Sequence, residues 1–253
     1  MGHAFYETDR AVSEYLLFHY GPLQGMMPYA FGPREALEFP VRCVTEGVAW
    51  PQLSRAERAL DLGCAVGRST FELARRFQEV IGADASEQFI RVATRLRDSG
   101  AIAFSFIEEG ELRTRATATV PPAIDRSRVR FEVANAEALP PDWSDFDLVL
   151  MANLLDRLHE PRRCLEALPA RIRRGGQLIV TSPYTWSSEF TPRENWLGGW
   201  EAGGQAVRTF ETLEKILGPH FELCRRSDMP FLIREHARKY QWSVAELTVW
   251  IRK

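Results

Sequence analysis

RALDLGCAVGRSTFELA, residues 58–74, is the stretch that decides the fold. Ala59-Leu60-Asp61-Leu62 reads as a short buried strand. Gly63 to Gly67 is a tight turn bounded by two glycines. Arg68 to Phe77 reads as a helix, with Phe71, Leu73, Ala74 and Phe77 on its apolar side. A parallel strand that enters a helix through such a turn aims the first N–H groups of the helix at whatever binds there.

Downstream, Glu79 to Asp84 is a second apolar strand ending in an acid. Ser86 is a suitable N-cap for a helix carrying Phe89, Ile90, Ala93 and Leu96, which Ser99-Gly100 stops. Residues 59–99 therefore alternate strand, helix, strand, helix, the mark of a parallel doubly wound sheet. Residues 102–107 and 112–120 then alternate large and small side chains around an acidic turn at 108–111, which predicts an inserted β-hairpin with a solvated tip. The rhythm resumes with strands at 129–133, 146–151 and 177–182 and a helix at 160–173. A long loop (183–205) carries Trp186, Trp196 and Trp200 and is expected to form an ordered lid. A helix at 210–217 and two closing antiparallel strands, 221–227 and 243–252, complete a seven-stranded, mostly parallel sheet with helices on both faces.

Upstream, residues 5–21 predict an appended helix capped by Thr8 or Asp9, ended by Gly21-Pro22. A proline- and glycine-rich loop and a second helix from 33 to 50 follow. The expected organisation is one α/β domain over 1–253: a helical cap (1–52), a ligand-binding core (55–182), and a lid with C-terminal strands (183–253).

Composition narrows the class. The chain has 253 residues, 45% hydrophobic, with a net charge of −2. Its arginines are interleaved with acids, so no nucleic-acid footprint appears. Four cysteines at 43, 64, 164 and 224 show no C-x-x-C spacing, which argues against a disulfide framework or structural zinc. No apolar run is long enough for a membrane span, and the first residues lack a signal-peptide pattern. The expectation is a soluble cytoplasmic protein.

The turn itself is selective. A dinucleotide-binding turn needs a middle glycine for close approach to a pyrophosphate, and Gly63-Cys64-Ala65-Val66-Gly67 lacks it. Asp61 would also repel a phosphate. The ligand expected here carries a cation, as the amino-acid end and sulfonium of S-adenosylmethionine do. Asp84 and the adjoining Ala85 suit ribose hydroxyls, and Asn135-Ala136-Glu137 after the third strand suits an adenine ring. Asn153 follows the fourth strand on the same edge.

Together these stretches resemble the class I S-adenosylmethionine-dependent methyltransferases, with their Rossmann-like fold, over residues 55–182. The match lies in D-x-G-x-x-x-G at Asp61, Gly63 and Gly67, in Asp84, and in Asn135-Ala136-Glu137, where that family often has Asp at the position of Asn135. Stretches at 6–9, 13–21, 39–42, 61–69 and 182–186 resemble more closely the methyltransferase of ovothiol biosynthesis. That resemblance implies methylation of an imidazole nitrogen of 5-thiohistidine (4-mercaptohistidine). It also implies a stand-alone methylating partner to a separate sulfoxide synthase.

On this reading the cofactor is held by Asp61, Gly63, Cys64, Ala65, Gly67, Arg68, Asp84, Ala85, Asn135, Ala136, Glu137 and Asn153, with Arg42 or Arg68 meeting a carboxylate. The acceptor is held by Tyr15, His19, Tyr20, Asn153, Tyr184, Trp186 and Glu189, with Asn153, Tyr184 and His19 nearest the chemistry. Each has a plainer role open to it. Tyr15 and Tyr20 could be packing aromatics, His19 a half-buried packing histidine, Glu189 a solvated acid, and Arg42 and Arg68 surface ion pairs. No metal ligands are expected. Three other functions stay open: methylation of another small heterocycle or aromatic, cofactor binding without turnover, and, disfavoured by the missing glycine, nicotinamide-dependent oxidoreduction.

Overall fold

The structure is a computed structural model that describes residues 6–253. Its centre is a seven-stranded sheet. In chain order the strands are β1 (Arg58–Leu62), β2 (Glu79–Asp84), β5 (Val129–Val133), β6 (Phe146–Ala152), β7 (Ile172–Ser182), β10 (Phe221–His236) and β11 (Lys239–Arg252). Across the sheet they run β10-β11-β7-β6-β1-β2-β5. The five strands from β7 to β5 pair in parallel. β11 is antiparallel to both β7 and β10, so only β11 runs against the rest. The order reverses at β1 and β6, which opens a crevice at their carboxyl ends.

The central strands are buried on both faces, as β1 (Ala59 to Leu62) and β6 (Phe146 to Met151) show. That is what a parallel sheet covered by helices requires. One core lies on the side of α4 (Arg68–Leu73) and α5 (Glu87–Ser99), around Phe71, Phe77, Leu96 and Leu148. The other lies under α6 (Pro161–Ala167) and α7 (Thr209–Leu217), around Leu60, Phe146, Leu165 and Trp250. At the amino ends of the strands, Asp147 is fully buried and accepts from the Glu57 and Arg58 N–H groups at 2.8 Å each, from Arg55 at 2.7 Å, and from Arg173. None of the described helices is long and apolar enough to cross a membrane.

The cap is α1 (Asp9–Tyr20), α2 (Leu23–Met26) and α3 (Phe39–Thr45). Thr8 caps α1, accepting from the Ala11 N–H; Phe5, the expected first residue, lies outside the described residues. The long second helix expected over 33–50 is broken. Glu38 takes a left-handed φ of 55°, and α3 restarts with Pro40 in its first turn, where a missing N–H costs nothing. The helix expected to reach Arg173 ends at Ala167, and Pro169 leads into a single 3₁₀ turn.

The inserted hairpin is present as β3 (Ala101–Glu109) and β4 (Leu112–Thr119). The loop after β7 contains a second small hairpin, β8 (Trp200–Ala202) and β9 (Gln205–Val207), that the sequence pattern did not reveal. The largest difference is at the C-terminus. β10 and β11 run on as a ribbon well past the sheet, paired out to His236 and Lys239. Buried Arg234 ties that ribbon to the β3–β4 hairpin through Glu108 at 2.6 Å, and it lies over the Phe106 ring.

Candidate active site

Gly63 and Cys64 both donate to the Ala83 carbonyl, at 2.8 and 3.0 Å, which folds the chain sharply after β1. Gly63, Ala65 and Gly67 all have positive φ. Gly67 is obligatory: its φ is +83°, and a Cβ there would sit 2.5 Å from Phe131 Cζ. Asp84 shapes the same turn. Its Oδ2 accepts from the Ala65 N–H at 3.0 Å, and its Oδ1 from the Ser86 N–H at 2.9 Å.

Asp61 sits behind the turn, fully buried. Its Oδ2 accepts from Ser69 at 2.8 Å and Thr70 at 2.7 Å, locking β1 to the first turn of α4. Its Oδ1 has no partner among the described residues. Burial pushes this carboxyl up to about 6, against the pull of the two hydroxyls. A buried, half-satisfied carboxylate suits a nearby cation.

On the next two strand ends, Asn135 Oδ1 accepts from the Glu137 N–H at 2.9 Å, closing the loop after β5. Glu137 accepts from the Glu160 N–H. Asn153 holds a left-handed φ of 52°. Thr181 Oγ1 donates to its Oδ1 at 3.0 Å, which leaves the amide NH₂ for a ligand.

These edges form one side of a cavity of about 670 Å³. Gly63, Ala65, Asp84, Ala85, Asn135, Ala136, Glu137 and Asn153 all lie on its wall. Tyr15 and His19 of α1 line it too, with Phe18, Phe39 and Phe231. The rings pass contact along: His19 to Phe18 at 5.4 Å, Phe18 stacked on Phe39 at 6.0 Å, Phe39 to Phe231 at 5.0 Å. Burial, with the charge of Arg68, lowers the His19 imidazole to about 3, so it is neutral at physiological pH.

Other expected residues lie off this wall. Cys64 is buried in the turn, and burial raises its thiol. Arg68 pairs with Glu72 at 2.8 Å. Arg42 donates to the carbonyls of Glu35, Leu37 and Pro230 and so braces α3 against β10. Tyr20 donates to the Val66 carbonyl at 2.9 Å, pinning α1 on the glycine turn. Tyr184 turns away to Glu246 at 2.7 Å, and Trp186 donates to Thr209 at 2.9 Å and stacks on Trp196. Glu189 is exposed. The loop reaches the cavity instead through Pro183 and Phe190, the latter under the Arg157 guanidinium at 4.6 Å.

Sequence reasoning passed over Glu14, Phe39, Arg157, Phe190, Phe231 and Gln241 as wall residues. For Glu14 a signal existed: it is four residues before Phe18 and so shares its helix face. For Phe231 and Gln241 none did, because the ribbon that carries them was not foreseen.

The methyltransferase-domain family matches residues 60–180. No match was found among curated protein sequences. Three solved structures share the fold. The [4+2]-cyclase SpnF is 16% identical, covering 98% of this chain and 94% of its own, with a TM-score of 0.59. Magnesium protoporphyrin IX methyltransferase (ChlM) from Synechocystis PCC 6803, with bound SAH, is 16% identical, covering 91% of each chain, TM-score 0.55. A SAM-dependent methyltransferase from Methanosarcina mazei is 17% identical, covering 80% of this chain and 95% of its own, TM-score 0.53. The molecule thus has the Rossmann-like fold of the class I methyltransferases. Within that fold, residues 60–180 are the part similar to the methyltransferase-domain family.

Proposed function

We propose that this chain is an S-adenosylmethionine-dependent N-methyltransferase that methylates an imidazole ring nitrogen of 5-thiohistidine, the acceptor of ovothiol biosynthesis. One observation supports it above the others. The cofactor edge and the rings of α1, α3 and β10 line a single cavity. Cofactor and a small flat acceptor can therefore meet without leaving it.

S-adenosylmethionine supplies, when bound, a methyl carbon already activated by its sulfonium. The protein's task is then alignment of the acceptor nitrogen with that carbon, worth on the order of 7–11 kcal/mol in well-oriented systems. Bound there, the cofactor would give its methyl to the acceptor nitrogen and keep the S–C electron pair on sulfur. Asp84 and the loop at Asn135 fix the nucleoside. Phe18, Phe39 and Phe231 fix the plane of the ring. The free amide of Asn153 is placed to donate to the acceptor. Neutral His19 serves as a hydrogen-bonding guide; with a value of about 3 it is too weak a base to store the departing ring proton, which passes to solvent. In this reading the sulfoxide synthase that supplies the thiohistidine is a separate cytoplasmic partner.

Mass spectrometry of the protein incubated with S-adenosylmethionine and 5-thiohistidine tests the proposal. The expected product gains one methyl on the ring and keeps a free thiol. Methylation of a different heterocycle, with none of thiohistidine, would remove the ovothiol assignment. Tight S-adenosylhomocysteine (SAH) binding without turnover of any acceptor would favour a role apart from methyl transfer, as the fold shared with a cyclase illustrates.

A further inference from the structure

We propose that Glu14 selects the acceptor by holding a protonated amine against the ring-lined wall, an inference that rests on the methyl-transfer reading above. Two helical rows of α1 face the cavity: Glu14 with Phe18, and Tyr15 with His19, each four residues apart. α3 and the β10–β11 ribbon add Phe39, Phe231 and Gln241. On this part of the wall the charged side chains are acidic: Glu14, and Glu7 just ahead of α1. The rest is aromatic, aliphatic or neutral-polar.

A carboxylate at the edge of several aromatic faces is the chemistry that reads an ammonium group. The rings attract a cation through their faces, and the carboxylate supplies the counter-charge. Arg157 lines the same cavity beside Phe190 and can take the carboxylate of a zwitterion whose amine meets Glu14. Glu14 is available for the task. Its side chain is 16% exposed, and its ion pair is with Arg10, which is 62% exposed and held only at Oε1. Such a solvent-screened partner competes weakly. The buried Nδ1 of His19, one turn further on, has no partner among the described residues, so this part of the wall also awaits a polar ligand.

Calorimetry on the SAH-saturated protein tests this with three imidazoles of different charge: histamine, L-histidine and 3-(imidazol-4-yl)propionate. Histamine and histidine should bind at least about tenfold more tightly than the propionate, the scale of one charged hydrogen bond. Glu14→Gln, with an unchanged melting temperature, should weaken histamine about tenfold or more and leave the propionate unaffected. Arg10→Ala should leave histamine binding as it is or tighten it. The proposal is overturned if the propionate binds as well as histamine, if Glu14→Gln leaves histamine unchanged, or if Arg10→Ala weakens it as much as Glu14→Gln does. Absence of binding by all three while SAH binds overturns it too. Failure of SAH itself to bind would instead remove the methyltransferase reading beneath it.

Discussion

Replacing Asp84 by alanine should separate the two jobs this carboxylate holds. In the folded protein it already accepts the Ala65 and Ser86 N–H groups, one on each oxygen. Asp84 also lines the cavity, and on the proposed function it takes two ribose hydroxyls. A hydrogen bond to a charged group contributes about 1.5–3 kcal/mol. Two lost bonds therefore cost about 3–6 kcal/mol, or roughly 10²- to 10⁴-fold in affinity at about 1.4 kcal/mol per factor of ten. The variant also strands two N–H groups, at about 1–3 kcal/mol each if they stay dry, and releases Ala65 from a left-handed φ of 46°. A lower melting temperature should accompany the weaker binding. Affinity alone would not distinguish a distorted turn from a missing ribose contact. The decisive assay is a comparison of adenosine with 2′,3′-dideoxyadenosine. The native protein should prefer adenosine strongly, and Asp84→Ala should lose most of that preference. Asp84→Asn, which keeps one acceptor oxygen, should lie between. If Asp84→Ala still discriminates between the two nucleosides as the native protein does, the ribose is read elsewhere and the assignment of β2 to it is refuted.

Three further perturbations probe the turn and its support. Because Asp61 ionises only above about 6, SAH affinity should rise as pH rises through that value and be lost below it; Asp61→Asn should flatten the profile, and a parallel profile in both proteins would contradict a role for its charge. Gly67→Ala must displace Phe131 and force a left-handed alanine, at about 1–3 kcal/mol for overpacking and about 1–2 kcal/mol for the backbone; a chemical-denaturation midpoint equal to the native one would rule out the described packing. Asp147 would be raised by burial alone, but Arg173, the Arg58 N–H, Arg55 and the Glu57 N–H outweigh this and hold it below the usual carboxylate range. Its contribution is therefore complete above the unfolded value of about 3.9 and is lost as pH falls through the lower folded value. Asp147→Ala should cost about 3–5 kcal/mol, as expected for breaking a buried ion pair, with little change in SAH affinity per folded molecule.

Much of the fold was legible because the strands announce themselves locally. Leu60 and Leu62, Val80 and Ile81, and Leu148 to Met151 are apolar runs bounded by turn residues, and Ser86 and Gly100 bracket α5 as their chemistry dictates. The breaks were less visible. Periodicity carried the second helix through Glu38 and Pro40, though the backbone there does not continue. The placing of Asp84, Asn135 and Asn153 on one cavity was legible for a similar reason, since strand ends fix them by topology. The acceptor side was not. Tyr184 and Trp186 stand just past a strand end, where ligands commonly bind. Yet their polar atoms find partners in Glu246 and Thr209, each far along the chain. Nothing within a short window of sequence reports such a partner. Arg42 was misplaced for the same cause: the carbonyl of Pro230 that it satisfies lies 188 residues away.

The ribbon of β10 and β11 sets an order of assembly. Cofactor-side residues lie between 63 and 153, whereas the ring wall joins α1 near one end of the chain to Phe231 and Gln241 near the other. Contacts of such sequence separation form slowly, because their loop-closure entropy must be met first. During synthesis the strand-end residues are laid down well before the rings of the ribbon can join them. On the proposed function, acceptor recognition is thus the last property the nascent chain acquires, and a chain arrested before residue 231 would carry the glycine turn and strand-end residues without the rings of β10.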